Sequence, residues 1–185
     1  VNLTNLGFEI EPVKNLVFES SFSYRTLSSA SPEFKLDYFT DNTYTATSDK
    51  ITQSEVNFLV NYTPKRKMVG YGVDRIDVDL NYPRFFVSYS QGLKGVFDSD
   101  FNYSKLQLYY RQPLLIGGFG RLFSTLEIGK TFGAVPLSLM GVIPGNQSYF
   151  IIDNTYNLLN YYDFVADQYT SLHLEHNFNG KLFSR

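Results

Sequence analysis

The sequence has no cysteine, no tryptophan and only two histidines, and just 18 % of its 185 residues are charged. Each shortage removes a class of protein. Without cysteine there is neither a disulfide framework nor a thiolate metal site, a pattern compatible with exposure to the periplasm. Nucleophile–base catalysis would have to pass through His173 or His176. The net charge is −2 and the longest basic run is Lys65-Arg66-Lys67, so no basic stripe is present to follow a nucleic acid. No apolar run approaches the roughly 20 residues of a transmembrane helix. No secretory leader is visible and the chain opens on Val1, so both ends read as cuts in a longer protein.

What is abundant is aromatic, with 15 Tyr and 17 Phe making up 17 % of the chain. Apolar residues alternate with polar ones at period two, and no long window repeats at three and four. Strands are expected over 3–11, 16–27, 51–62, 76–89 with a bulge at Pro83, 103–112, 121–132 and 164–178. Tight turns are expected at 12–15, 63–67 and 114–120, and the Asn179-Gly180 pair is a hairpin signal. The stretches 28–50 and 133–160 read as long loops. The fold expected is all-β, an antiparallel up-and-down meander of about seven or eight long strands.

In these strands one face is apolar and aromatic, and the other carries Glu19, Arg25, Glu55, Asp77, Asp79, Lys105, Arg111, Arg121, Glu127 and Glu175. Alternation of this kind suits a soluble sandwich or a membrane barrel equally. Strand length, loop asymmetry and tyrosines near strand ends (Tyr24, Tyr62, Tyr82, Tyr89, Tyr110) favour a barrel wall facing lipid, with an aromatic girdle. The expected location is the bacterial outer membrane, with its lipid as partner and periplasmic or membrane proteins as further possible partners. No nucleic acid and no cofactor is expected. The rivals are a soluble barrel or sandwich holding a hydrophobic ligand, and an outer-membrane lipid hydrolase.

Four segments then occur in one order: Tyr89-Ser90-Gln91-Gly92-Leu93-Lys94-Gly95, Gly129-Lys130-Thr131-Phe132-Gly133, Pro144-Gly145-Asn146-Gln147-Ser148, and Asn160-Tyr161-Tyr162-Asp163-Phe164-Val165-Ala166-Asp167. With His173 to Gly180 they resemble the carboxy-terminal barrel of a Bacteroidota outer-membrane family. Its members carry an amino-terminal carboxypeptidase-regulatory-like domain. The resemblance covers Thr63 to Arg185. It implies that residues 1–185 are one fragment of the barrel domain, lacking the amino-terminal domain and the closing strands, so that the isolated piece is a curved open sheet. It also implies a distant similarity to barrels that assemble outer-membrane proteins. Those fold a loop with an Arg-Gly-aromatic tip into the lumen; the loop 133–160 stands at a comparable place without that tip.

Individual motifs carry less. Asp98, Asp100 and Asn102 start like a calcium loop, but Tyr103 and Tyr109 occupy the places of the required Gly and Glu. Gly129-Lys130-Thr131 ends like a phosphate loop, yet the first Gly of that motif falls at Ser124 and the Lys follows a strand. His173 and Glu175 share a strand face and His176 points away, so the three do not converge locally. The remaining candidates are a lumen plug or gate, with Asn146, Asp163 and Asp167 in the loop set against Arg111 and Arg121, and with Glu127, His173 and Glu175 as further lumen-facing groups. A structured surface loop is the plain alternative.

Overall fold

Long runs of alternating β-branched, aromatic and polar residues favour extended chain, and seven of them become strands. In the computed structural model, which describes residues 2–29, 37–40, 43–71, 74–79, 81–146, 155–157, 159–160 and 163–180, these are β1 (Asn2–Val13), β2 (Leu16–Ser28), β3 (Lys50–Tyr62), β4 (Arg84–Gly92), β5 (Tyr103–Leu115), β6 (Arg121–Phe132) and β7 (Gln168–Asn177). Each pairs antiparallel with the next in one seven-stranded sheet. The expected meander is therefore present, as an open sheet with β1 and β7 at its edges. Strands of 9 to 13 residues are long beside the usual five or six.

The turns follow from local chemistry. Lys14 and Asn15 join β1 to β2, with Asn15 at φ 68°, a conformation asparagine tolerates better than most residues. Pro12 has no N–H for a ladder and sits in a bulge of the edge strand, between the pairs Ile10–Phe18 and Val13–Leu16. After β7, Asn179 and Gly180 both adopt positive φ (51° and 76°), as a two-residue hairpin turn requires.

Two expectations need correction. The alternation from Ile76 to Tyr82 is not the start of β4, and no bulge forms at Pro83. Ile76–Asp77 instead pairs with Met68–Val69 in a small hairpin inside the β3–β4 connection, which spans 63–83. The reason is Asp77, drawn to Arg66 rather than into a strand face. Likewise β7 begins at Gln168, because Val165–Ala166 pairs with Gly141–Val142. One end of the sheet thus carries 14–15, 63–83 and 116–120, and the other carries 29–49, 93–102 and 133–167.

Cross-strand register gathers Phe18, Val60, Val87, Leu108, Ile128 and Thr170 on one face. Leu6, Phe8, Phe58, Phe85, Leu106, Leu172 and Leu174 lie on the same face. The opposite face holds Glu19, Arg25, Glu55, Arg84, Lys105, Arg111, Glu127, His173 and Glu175. Burial is inverted relative to a water-soluble sheet. In β4 the apolar Phe85, Val87 and Tyr89 are exposed while Arg84, Ser88 and Ser90 are half-buried. In β7 Leu172 and Leu174 are 59 % and 63 % exposed. On the polar face, by contrast, Gln53, Thr125 and Thr131 are buried.

Aromatic rings mark both ends of the apolar face. At the 63–83 end Tyr62, Phe85 and Tyr110 stack in a ladder, with centroids 6.2 Å and 4.5 Å apart. At the other end Phe97, from the 93–102 connection, packs edge-on against Phe22 (6.0 Å) and Tyr24 (6.2 Å). Tyr82, expected in this girdle, is buried in the β3–β4 connection instead. Among the described residues one small hydrophobic core lies where the long connections meet the polar face: Ile51, Tyr103 and Leu139 are buried, flanked by Leu27, Tyr38, Phe101 and Val135.

Candidate functional site

β4 ends at Gly92, opposite Glu55, so residues 50–54 of β3 have no β4 residues beside them. The 93–102 connection takes their place. Leu93 N–H donates to the Ser54 carbonyl (3.0 Å), Ser54 Oγ to the Val96 carbonyl (2.8 Å) and Asp100 N–H to the Thr52 carbonyl (2.9 Å). Thr52 N–H in turn donates to Asp100 Oδ2 (2.7 Å). Asp100 therefore acts as a backbone cap here, in keeping with the failed calcium pattern.

The described parts of the 133–167 connection fold back over the polar face. Its 3₁₀ turn, Leu137–Leu139, buries Leu139 against Ile51 and Tyr103. Gly145–Asn146 then runs parallel to Tyr156–Asn157, and Ile143 N–H donates to the Phe164 carbonyl (3.1 Å). The Tyr156 ring lies 4.6 Å from that of His173. His173 sits opposite Thr125 on the polar face, well inside β7, so the connection reaches down that face rather than standing away from it. Asn146 is nearly buried within it. Gln147 and Ser148, read with Asn146 as a motif, lie outside the described residues.

The expected clamp of acidic loop residues on lumen arginines does not form. Asp163 accepts the Asn160 N–H (2.8 Å), and the Asp167 carbonyl accepts the Thr131 N–H (2.6 Å). Arg111 lies with its guanidinium 4.7 Å over the Phe123 ring, and Arg121, opposite Asn177, has its Nε buried without a hydrogen-bond partner. Asp167 is bonded at Thr131, whereas Arg111 stands opposite Thr125 and Arg121 begins β6, six and ten residues away along that strand, roughly 20 and 33 Å at the usual rise. His173 and Glu175 do share the polar face, while His176 lies on the other beside Phe178, 4.0 Å between rings.

Two hydrogen-bonded networks on the polar face were not visible in the sequence. In one, Tyr169 donates to Glu127 Oε1 (2.8 Å) and accepts from Gln107 Nε2 (3.2 Å). In the other, the Tyr103 hydroxyl donates to Glu55, which also pairs with Arg25 at 3.5 Å. The Lys105 ammonium stands 5.4 Å above the Tyr103 ring. Both tyrosines lie over a cross-strand glycine, Tyr103 over Gly92 and Tyr169 over Gly129. Groups on different strands make each network, so only the register brings them together.

At the opposite end the β3–β4 connection is tied into a knot. Arg66 grips Asp77 with two nitrogens (2.6 and 3.2 Å) and Tyr82 donates to the same carboxylate (3.1 Å). Arg84 donates to the Tyr82 hydroxyl (3.4 Å), and Asn15 Nδ2 to the Arg66 carbonyl (3.3 Å). The Arg66 hydrogen bonds, assisted by Tyr82, hold the Asp77 carboxyl below the ordinary range of 3.8. A depressed folded-state pKa contributes stability that is complete above the unfolded value and is lost as pH falls through the folded one. The small hairpin should therefore loosen only below about pH 4. Hydrogen exchange at Val78, whose N–H donates to the Lys67 carbonyl, should speed up there, and Asp77→Asn should abolish that pH response.

The chain belongs to the family of unknown function DUF5686, as its C-terminal domain. The match spans residues 3–185, so it includes β1 and β2, which lie before the segments quoted above. No curated protein and no solved structure matches the chain. Membership of the family carries no activity with it, and the geometry must supply the functional reading.

Proposed function

We propose that this DUF5686 domain is part of the wall of a bacterial outer-membrane β-barrel, with a structural, transport or assembly role. The observation that carries the reading is the inverted burial: leucine, phenylalanine and valine exposed across one face of all seven strands, and charged groups turned to the more enclosed face. A continuous apolar face of this size is a liability in water. In a bilayer it is the low-energy arrangement, with apolar side chains toward lipid and polar ones toward a wet lumen. Strand length supports the reading, since about 9–11 tilted residues cross the hydrocarbon. The aromatic clusters at both ends of the apolar face, stacked at one and edge-on at the other, fit the two interfaces.

Within a bilayer the outer edges of β1 and β7 require partners, because unpaired backbone groups are costly there. Further strands of a longer parent supply them in this reading. That parent is a Bacteroidota protein with an amino-terminal carboxypeptidase-regulatory-like domain, and its partners are outer-membrane lipids. The described parts of the 133–167 connection, which lie along the polar face, narrow the lumen in this reading. Phase separation tests the proposal: the full-length parent is expected in the detergent phase and in the membrane fraction after carbonate washing. A protein that stays monodisperse in the aqueous phase without detergent overturns it.

A further inference from the structure

Arg84 and Arg111 are direct cross-strand partners on the polar face of β4 and β5. Residues so placed have Cβ atoms roughly 5 Å apart, and like charges there repel. Neither guanidinium has a carboxylate within salt-bridge distance among the described residues. Each is instead set by an aromatic ring: Arg84 lies 5.9 Å over Tyr82 and donates to its hydroxyl, and Arg111 lies 4.7 Å over Phe123. The nearby Asp77, which could neutralise Arg84, is gripped by Arg66. Beside Arg84 is a cavity of about 260 Å³ lined also by Phe86, Gln107, Tyr109 and Glu127. Glu127 stands one pair further along β6, opposite Tyr109, and receives the Tyr169 hydroxyl.

We propose that Arg84 and Arg111 bind the phosphate or carboxylate head of an anionic amphiphile, whose apolar body lies along Phe86 and Tyr109. From paired positions the two side chains can both turn their forks from their rings to one anion between them, and binding removes the mutual repulsion of the pair. The aromatic wall gives the apolar part a surface that a free anion does not use. Gln107 offers a neutral polar group where the head meets the body. The arrangement goes beyond a barrel wall, which needs polar lumen residues but not two unpaired arginines in register.

The test is equilibrium binding to the purified full-length parent. The probes are a short-chain phosphatidate, the matching uncharged diacylglycerol, and inorganic phosphate. Phosphatidate is expected to bind saturably, with phosphate weaker and diacylglycerol undetected. Arg84→Gln and Arg111→Gln should each weaken phosphatidate on the order of tenfold, the loss of one charge-assisted hydrogen bond. Tyr109→Ala should weaken phosphatidate and leave phosphate unchanged, and Lys14→Gln, in the β1–β2 turn, should change nothing. Where a glutamine variant fails to fold by circular dichroism, Arg→Lys at the same position keeps the charge and loses the fork, and is expected to lose affinity too. Equal binding by wild type and a folded Arg84 or Arg111 variant overturns the site. Phosphatidate bound no better than phosphate overturns the amphiphile assignment, and absence of binding by all three probes overturns the whole proposal.

Discussion

Leu172→Arg is expected to destabilise the membrane-inserted parent by about 2–4 kcal/mol, the cost of an arginine at mid-depth on a lipid-facing strand. Leu172 is central in β7, is 59 % exposed, and pairs across to Leu126. In water the same substitution at so exposed a site would change stability by about 0.5 kcal/mol or less. The magnitude therefore separates lipid from water at this face. Ser171→Arg is the internal comparison: Ser171 lies on the polar face opposite Glu127, a position that should accept the charge. Urea titration in bilayers, read by loss of the folded electrophoretic form, measures both. Free tolerance of arginine at 172 together with damage at 171 would mean that the apolar face is not the one against lipid.

Gly129→Val should destabilise by about 3 kcal/mol, through overpacking and the loss of a charge-assisted hydrogen bond. A Cβ at position 129 would stand 2.2 Å from Tyr169 Cε1 and 2.8 Å from its hydroxyl. The ring must leave, and it takes with it the hydrogen bonds to Glu127 and Gln107. Tyr169→Phe, which keeps the ring, should cost only the hydrogen-bond part. Adding Tyr169→Ala to Gly129→Val makes room for the new side chain, so the two substitutions should be markedly non-additive in a double-mutant cycle. Additive losses would mean that glycine is needed at 129 for some reason other than the ring above it. The Gly92–Tyr103 pair has the same geometry, with the ring 2.5 Å from a built Cβ.

The fold was largely legible because period-two alternation is a local property. β3 and β6 were readable to within a residue, since Val56, Phe58, Val60 and Tyr62, and Leu122, Leu126 and Ile128, keep one parity along each stretch. The Ile76–Tyr82 stretch alternates equally well and misled, because the pull of Arg66 on Asp77 is a contact that periodicity does not encode. Pro113 was no obstacle to β5: it lies past the last β4–β5 pair, Arg84–Arg111, so its missing N–H is not needed on that side. Of the candidate groups, the sequence located the polar-face residues but mispaired them. It set Asp163 and Asp167 against Arg111 and Arg121, where the sheet puts about half a strand and most of a strand between Asp167 and these arginines. The partners that do meet, Tyr169 with Glu127 and Tyr103 with Glu55, are far apart in the chain and joined only by register.

By itself, then, the sequence determined an all-β chain of long strands with one apolar and one polar face, because side chains alternate sides in extended backbone whatever lies beside it. Tertiary structure decided the rest. Strand order and register placed Arg84 beside Arg111 and each tyrosine over its glycine, and they turned the charged face inward beneath the long connections. Those outcomes depend on distances between strands, and such distances exist only once the hydrogen-bond ladders have fixed which residue stands opposite which.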